Sequence, residues 1–137
     1  MTNIVIADDL NNVKYLSNYD GDTIRFDIQG DYPKIFRFMP LRLYGIDTPE
    51  IRTKDENERR IANRAKNFVK KELKKAKNIN LKGCKKDKYF RLLCRVEYDN
   101  KDLTTELLKR RYGCEYYGGK KQNFEDCKNN KTTDLKK

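Results

Sequence analysis

Asp20-Gly21-Asp22-Thr23-Ile24-Arg25-Phe26-Asp27-Ile28-Gln29 is the run whose reading decides the fold. Asp20-Gly21 is a turn signal of the hairpin kind. After it, Ile24, Phe26 and Ile28 alternate with Arg25, Asp27 and Gln29, and a period of two marks a half-buried strand. Upstream, Val13-Lys14-Tyr15-Leu16 alternates in the same way and reads as a short strand. Downstream, Gly30-Asp31-Tyr32-Pro33 is a second turn. An extended run is then expected from Ile35, Phe36 and Phe38 through Leu41, Leu43 and Ile46. Pro40 lies inside it and cannot donate to a ladder, so a bulge or an edge is expected there.

Beyond Thr48-Pro49-Glu50 the period changes. Ile61, Ala65, Phe68, Val69 and Leu73 follow helical spacing, which predicts a helix over 56–75 with basic residues on its other faces. Ile79–Leu81 reads as a strand and 85–89 as a polar loop. Leu92, Cys94 and Val96 form another strand, ending at an Asp99-Asn100 turn. Leu103, Leu107 and Leu108 predict a short second helix, and Phe124 and Cys127 a last helical turn. Five short strands broken by a long helix predict a β-rich α+β fold, a five-stranded OB-fold barrel with about three helices. A single domain over 1–128 is expected, with 129–137 as a disordered tail.

The composition bounds the chemistry. Apolar residues make up 36% of the 137, so a small core lies under a heavily charged surface. Between Ile51 and Arg91 stand sixteen basic and five acidic residues, a surplus of eleven that equals the net charge of the whole chain, +11. Such a localised basic field favours a polyanionic partner. With no histidine, the chain holds no Ser-His or Cys-His dyad. Cys84, Cys94, Cys114 and Cys127 contain no C-x-x-C pair, which argues against a four-cysteine zinc site; scattered reduced thiols in an intracellular protein are the simpler expectation. Met1 is followed by no basic-then-apolar signal segment, and no apolar run is long enough to span a membrane, so no membrane partner is expected.

Two carboxylate clusters and two arginines carry the chemistry. Asp22 opens a strand and Asp47 closes another. If these strands are neighbours, both side chains and the Thr48 carbonyl supply oxygen to a hard divalent cation. Glu50, three residues past Asp47, is placed to deprotonate a water. Arg42 and Arg91 can grip one phosphate by bidentate hydrogen bonds. Each piece alone reads as ordinary: a turn, a loop acid, two surface arginines. The joint order carries the reading.

Asp20-Gly21-Asp22-Thr23, Arg42-Leu43-Tyr44-Gly45-Ile46-Asp47-Thr48-Pro49-Glu50 and Asp87-Lys88-Tyr89-Phe90-Arg91 resemble, in order and spacing, the motifs of the staphylococcal nuclease (thermonuclease) family, over about Val13 to Tyr117. The resemblance implies Ca²⁺ on Asp22, Asp47 and the Thr48 carbonyl, with Mg²⁺ or Mn²⁺ as open alternatives. It implies Glu50 as general base, Arg42 and Arg91 on the scissile phosphate, and Lys88, Tyr89 and Tyr117 against the nucleotide. The implied activity is sequence-nonspecific cleavage of DNA and RNA to 3′-phosphates by a monomer. The alternative is a related module that binds nucleic acid or protein without cutting. Phe90 departs from the family pattern, standing where a glycine usually precedes the second arginine.

Overall fold

The computed structural model describes residues 9–87 and 91–119, together with Phe124 and Cys127. The fold is mixed α+β and β-rich. Its strands are β1 (Lys14–Asn18), β2 (Thr23–Asp27), β3 (Met39–Leu43), β4 (Gly45–Asp47), β5 (Ile79–Asp87), β6 (Arg91–Tyr98), β7 (Lys101–Asp102) and β8 (Cys114–Tyr116). Its α-helices are α1 (Glu56–Lys75) and α2 (Leu103–Lys109). One sheet runs in the order β1-β2-β3-β6-β5, with β7 added to β6; β4 and β8 form a separate antiparallel pair.

The opening hairpin forms as its pattern requires: β1 and β2 pair antiparallel across Asp20–Asp22. Ile24 and Phe26 are fully buried while Arg25 between them is exposed. β3 then pairs antiparallel with β2 and parallel with β6. Pro40 sits opposite Arg25 in a regular ladder, and β3 meets β6 only from Leu41 onward. The missing N–H therefore falls on the β6 side of β3, before that pairing begins, and no bulge is needed. The ladder irregularities lie instead between Tyr15 and Ser17 and between Lys82 and Lys85.

The extended run expected from Ile35 is a correction. Lys34–Phe38 is a 3-10 turn that follows Pro33, with the Phe36 N–H donating to the Pro33 carbonyl at 2.9 Å. Phe36 alone of its apolar residues is buried, while Ile35 and Phe38 face solvent. A spacing that looks like alternation there is a tight turn burying one side chain. The loop expected over 85–89 is also corrected, because β5 continues through Lys85 and Lys86 to Asp87.

α1 has the bounds its spacing predicts. Asp55 caps its first turn, accepting from the Glu58 N–H at 3.0 Å. Glu56 and Glu58 sit at its positive end and Lys74 and Lys75 at its negative end, which suits the helix dipole. Ala62, Ala65, Val69 and Leu73 are buried, and Ala65, Val69 and Leu73 join the core built by β1–β6 and α2. Asp102 caps α2 in the same manner, through the Thr105 N–H at 2.9 Å. Asp99 and Asn100 both take positive φ, as the predicted turn between β6 and β7 requires.

All four cysteines are paired, which overturns the expectation of reduced thiols. Cys84–Cys94 staples β5 to β6, and Cys114–Cys127 ties β8 to a helical residue near the end of the described chain. The pairing removes the thiol argument for an intracellular setting. The last helical turn expected at Phe124 and Cys127 is helical at both residues, while their neighbours lie outside the described residues, as does the tail at 129–137. Among the described residues no helix is long and apolar enough to cross a membrane.

Candidate active site

The Asp20–Asp22 turn is organised by its own side chains. The Asp20 carboxylate accepts from the Asp22 N–H at 3.1 Å and the Thr23 N–H at 2.8 Å. Burial, and then the Asp22 charge beside it, push the Asp20 carboxyl up to about 7. Gly21 is required by space: a Cβ there would stand 2.7 Å from Thr48 Cγ2 and 2.8 Å from Ala65 Cβ. The turn, the loop after β4 and α1 thus converge on one atom-sized gap. Across it the Asp22 carboxylate accepts from the Thr48 N–H at 2.8 Å.

Arg42 joins the two expected cation ligands. It is opposite Thr23 on β2 and Leu93 on β6. Its guanidinium pairs with Asp22 through Nη1 and with Asp47 through Nη2, the latter at 3.2 Å. Burial opposes charge on this guanidinium, but the Asp22 and Asp47 carboxylates outweigh it and hold the pKa above its usual value. The Asp22 contact is an ion pair outside hydrogen-bond alignment, so among the described residues Nη1 is a buried donor without a hydrogen bond.

Two arginines meet at a neighbouring cleft of about 440 Å³. Arg42, Tyr44, Asp87, Arg91, Tyr116 and Tyr117 are among the residues lining it. Arg91 pairs with Asp87 at 2.5 Å across the β5–β6 hairpin. Tyr117 meets Tyr44 edge-on at 5.4 Å between centroids, and Lys85 Nζ lies 5.9 Å above the Tyr44 ring. The Arg42 guanidinium lies 5.8 Å from the Tyr116 ring centre. Gly45, with φ at +93°, turns the chain from β3 into β4, and β4 lays Asp47 opposite Cys114 on β8. That pairing brings Tyr116 and Tyr117 to the arginines.

Of the residues singled out in the sequence, Asp22 contacts Thr48 and Arg42, Arg42 contacts Asp47 in turn, and Arg91 and Tyr117 share the cleft with Arg42. Glu50 is exposed in the loop beyond, where its carbonyl accepts from the Thr53 N–H at 3.3 Å. Lys88, Tyr89 and Phe90 lie outside the described residues. Sequence reasoning passed over Tyr44, Tyr116 and the pairing role of Asp87. The signal for the first two was present: Tyr44 stands two residues after Arg42, and Tyr116 adjoins Tyr117.

The donor set suits a hard cation. Two carboxylates converge on one positive group, and the buried Thr48 Oγ1 has no hydrogen-bond partner among the described residues. Among those residues no three His, Cys, Asp or Glu side chains gather as a metal cluster, so backbone and water oxygens would have to complete a shell. A family model described as staphylococcal nuclease homologue matches residues 40–134, a span that begins after Asp22 and includes Arg42, Asp47, Glu50 and Arg91. No curated protein matches the chain.

Proposed function

We propose, from the premise that this chain belongs to the staphylococcal nuclease homologue family, that it hydrolyses phosphodiester bonds of DNA and RNA without sequence preference and leaves 3′-phosphates. One observation carries the reading: Arg42 and Arg91 face one cleft, and Arg42 is itself held between Asp22 and Asp47. A scissile phosphate in the cleft receives donors from two guanidinium groups. These forks match the non-bridging oxygens and strengthen as negative charge builds there. Tyr44 and Tyr117 offer an aromatic wall for sugar or base.

Glu50 acts as the general base. Its exposure lets a water reach it. The water oxygen forms a bond to phosphorus in line with the departing 5′-oxygen, Glu50 takes the proton, and the P–O5′ bond breaks. The leaving oxygen is protonated from solvent. Asp22, Asp47 and the Thr48 carbonyl would hold Ca²⁺. When bound, the cation supplies positive charge against the phosphate oxygens and favours ionisation of a nearby water. Backbone contacts carry little base information, which fits cleavage without sequence preference.

The five-stranded OB barrel within one domain over 1–128 is part of the same reading. The order β1-β2-β3-β6-β5 supports it, as does the bridge between Leu10, just before β1, and Leu81 on β5. A binding module without activity would be expected to have lost its acids or arginines, and this chain keeps them all. The test is cleavage of plasmid and single-stranded RNA with Ca²⁺, with excess chelator, and by Glu50→Gln. Chelation should abolish cleavage, and Glu50→Gln should lower kcat by about 10²–10⁴. Undiminished cutting in either arm would reject the metal-and-base mechanism.

A further inference from the structure

Outside the cleft, some of the basic side chains on the surface are balanced by acids. Arg37 pairs with Asp27, Lys82 with Asp9, Arg95 with Asp102, and Lys109 and Arg110 with Glu106. The outer face of α1 differs. Arg60, Arg64, Lys71 and Lys74 recur at the spacing of one helical face and are all exposed. Among the described residues none of these four forms an ion pair; the helix's one internal pair is Lys75 with Glu72, at 3.1 Å. Asn63 and Asn67 lie between them on the same face. At 1.5 Å per residue the stripe is about 21 Å long, roughly the axial length of six nucleotides in one strand of a duplex.

We infer that this face of α1 is a track for the sugar-phosphate backbone of a longer nucleic-acid strand whose reacting segment occupies the cleft. The inference rests on the reading that the site takes nucleic acid. Four uncompensated cations in a row favour a partner with regularly spaced negative charge, and interleaved asparagines can donate to phosphate oxygens. A lipid surface fits less well. A membrane-surface helix needs an apolar face to bury in the bilayer, and the apolar face of α1 is spent on the protein core. The helix is also fixed to the site. Ala65 closes on Gly21, and the Asn18 side chain donates to the Lys66 carbonyl at 3.0 Å. Strands too short to reach beyond the cleft gain nothing from the track.

The test uses the full chain in chelator, so that binding is read without cleavage. Wild type, R60Q/R64Q/K71Q/K74Q, and a control with four charges removed elsewhere (K14Q/K34Q/K101Q/K109Q) are titrated with a labelled 20-nucleotide DNA strand over a salt series. The helix variant should bind the 20-mer about 10- to 100-fold more weakly near 0.1 M salt. Its slope of log K against log salt should be shallower by roughly 3, at about 0.7 per lost phosphate contact. Dinucleotide cleavage with Ca²⁺ should be unchanged. An unaltered slope overturns the track, as does an equal loss in the control, which would make the effect one of net charge alone. Wild-type affinity for phosphatidylserine vesicles equal to that for the 20-mer also overturns it. If no variant cuts any substrate but the slope still falls, the track stands and the cleavage reading fails.

Discussion

Arg42 answers to two carboxylates at once, and its replacements separate charge from shape. Arg42→Gln leaves Asp22 buried without its guanidinium, and losing one partner of a buried pair costs roughly 3–5 kcal/mol. Arg42→Lys keeps a positive charge but not the planar fork. It should hold most of the stability in urea titrations while cleavage falls about 100-fold or more. Gly21 makes a different demand. Gly21→Ala forces a methyl into Thr48 and Ala65, so stability should drop by roughly 1–3 kcal/mol, read from the urea midpoint. That Asp22, Arg42 and Asp47 gather was legible in the sequence, because a carboxylate opening one strand and another closing a second can converge on one point. The need for Gly21 was not, since the atoms that exclude a side chain there come from residues 27 and 44 positions further along.

At the scale of elements, α1 was readable to its ends because periodicity, a capping aspartate and terminal charges all agree. The 3-10 turn was not, because a five-residue segment with three apolar side chains fits a strand and a tight turn equally well until Pro33 and the burial of Phe36 decide between them. What anchors α1 predicts its response to acid. Burial of Glu72 works against its charge, but bonds from Lys75 and Tyr98 and the nearby Lys101 charge outweigh it and hold the carboxyl below its usual value. The unfolded chain therefore binds this proton more readily than the native one. The stabilisation is present above the unfolded pKa and is lost as pH falls through the folded one. Glu72→Gln should flatten the acid limb of a stability-against-pH curve below about pH 4.5, while costing about 1 kcal/mol or less at neutral pH. An acid limb as steep as that of wild type would show that Glu72 is not what anchors it.

For the whole molecule, the cleft depends on two sheets being held together. β8 brings Tyr116 and Tyr117 to the arginines of β3 and β6, and its one covalent tie is Cys114–Cys127. The double variant C114S/C127S should lose about 3 kcal/mol for a loop of 13 residues, seen as a lower Tm. Its KM for oligonucleotides should rise more than its kcat falls, because the tyrosine wall is loosened while the arginines stay on the larger sheet. Equal KM values would mean that the β4–β8 ladder holds the wall without the disulfide. Neither pairing could be read beforehand, since four cysteines allow three connectivities and spacing alone does not choose among them.

The connectivity found is the one that joins neighbours in sequence, with separations of 10 and 13 residues. Both other connectivities close longer loops, and loop-closure entropy makes them about 2 kcal/mol less favourable in a structureless chain. Oxidation before folding is therefore already biased toward the native isomer. Refolding of the reduced chain in a glutathione buffer should yield one dominant disulfide species without help from an isomerase, which peptide mapping by mass spectrometry would reveal.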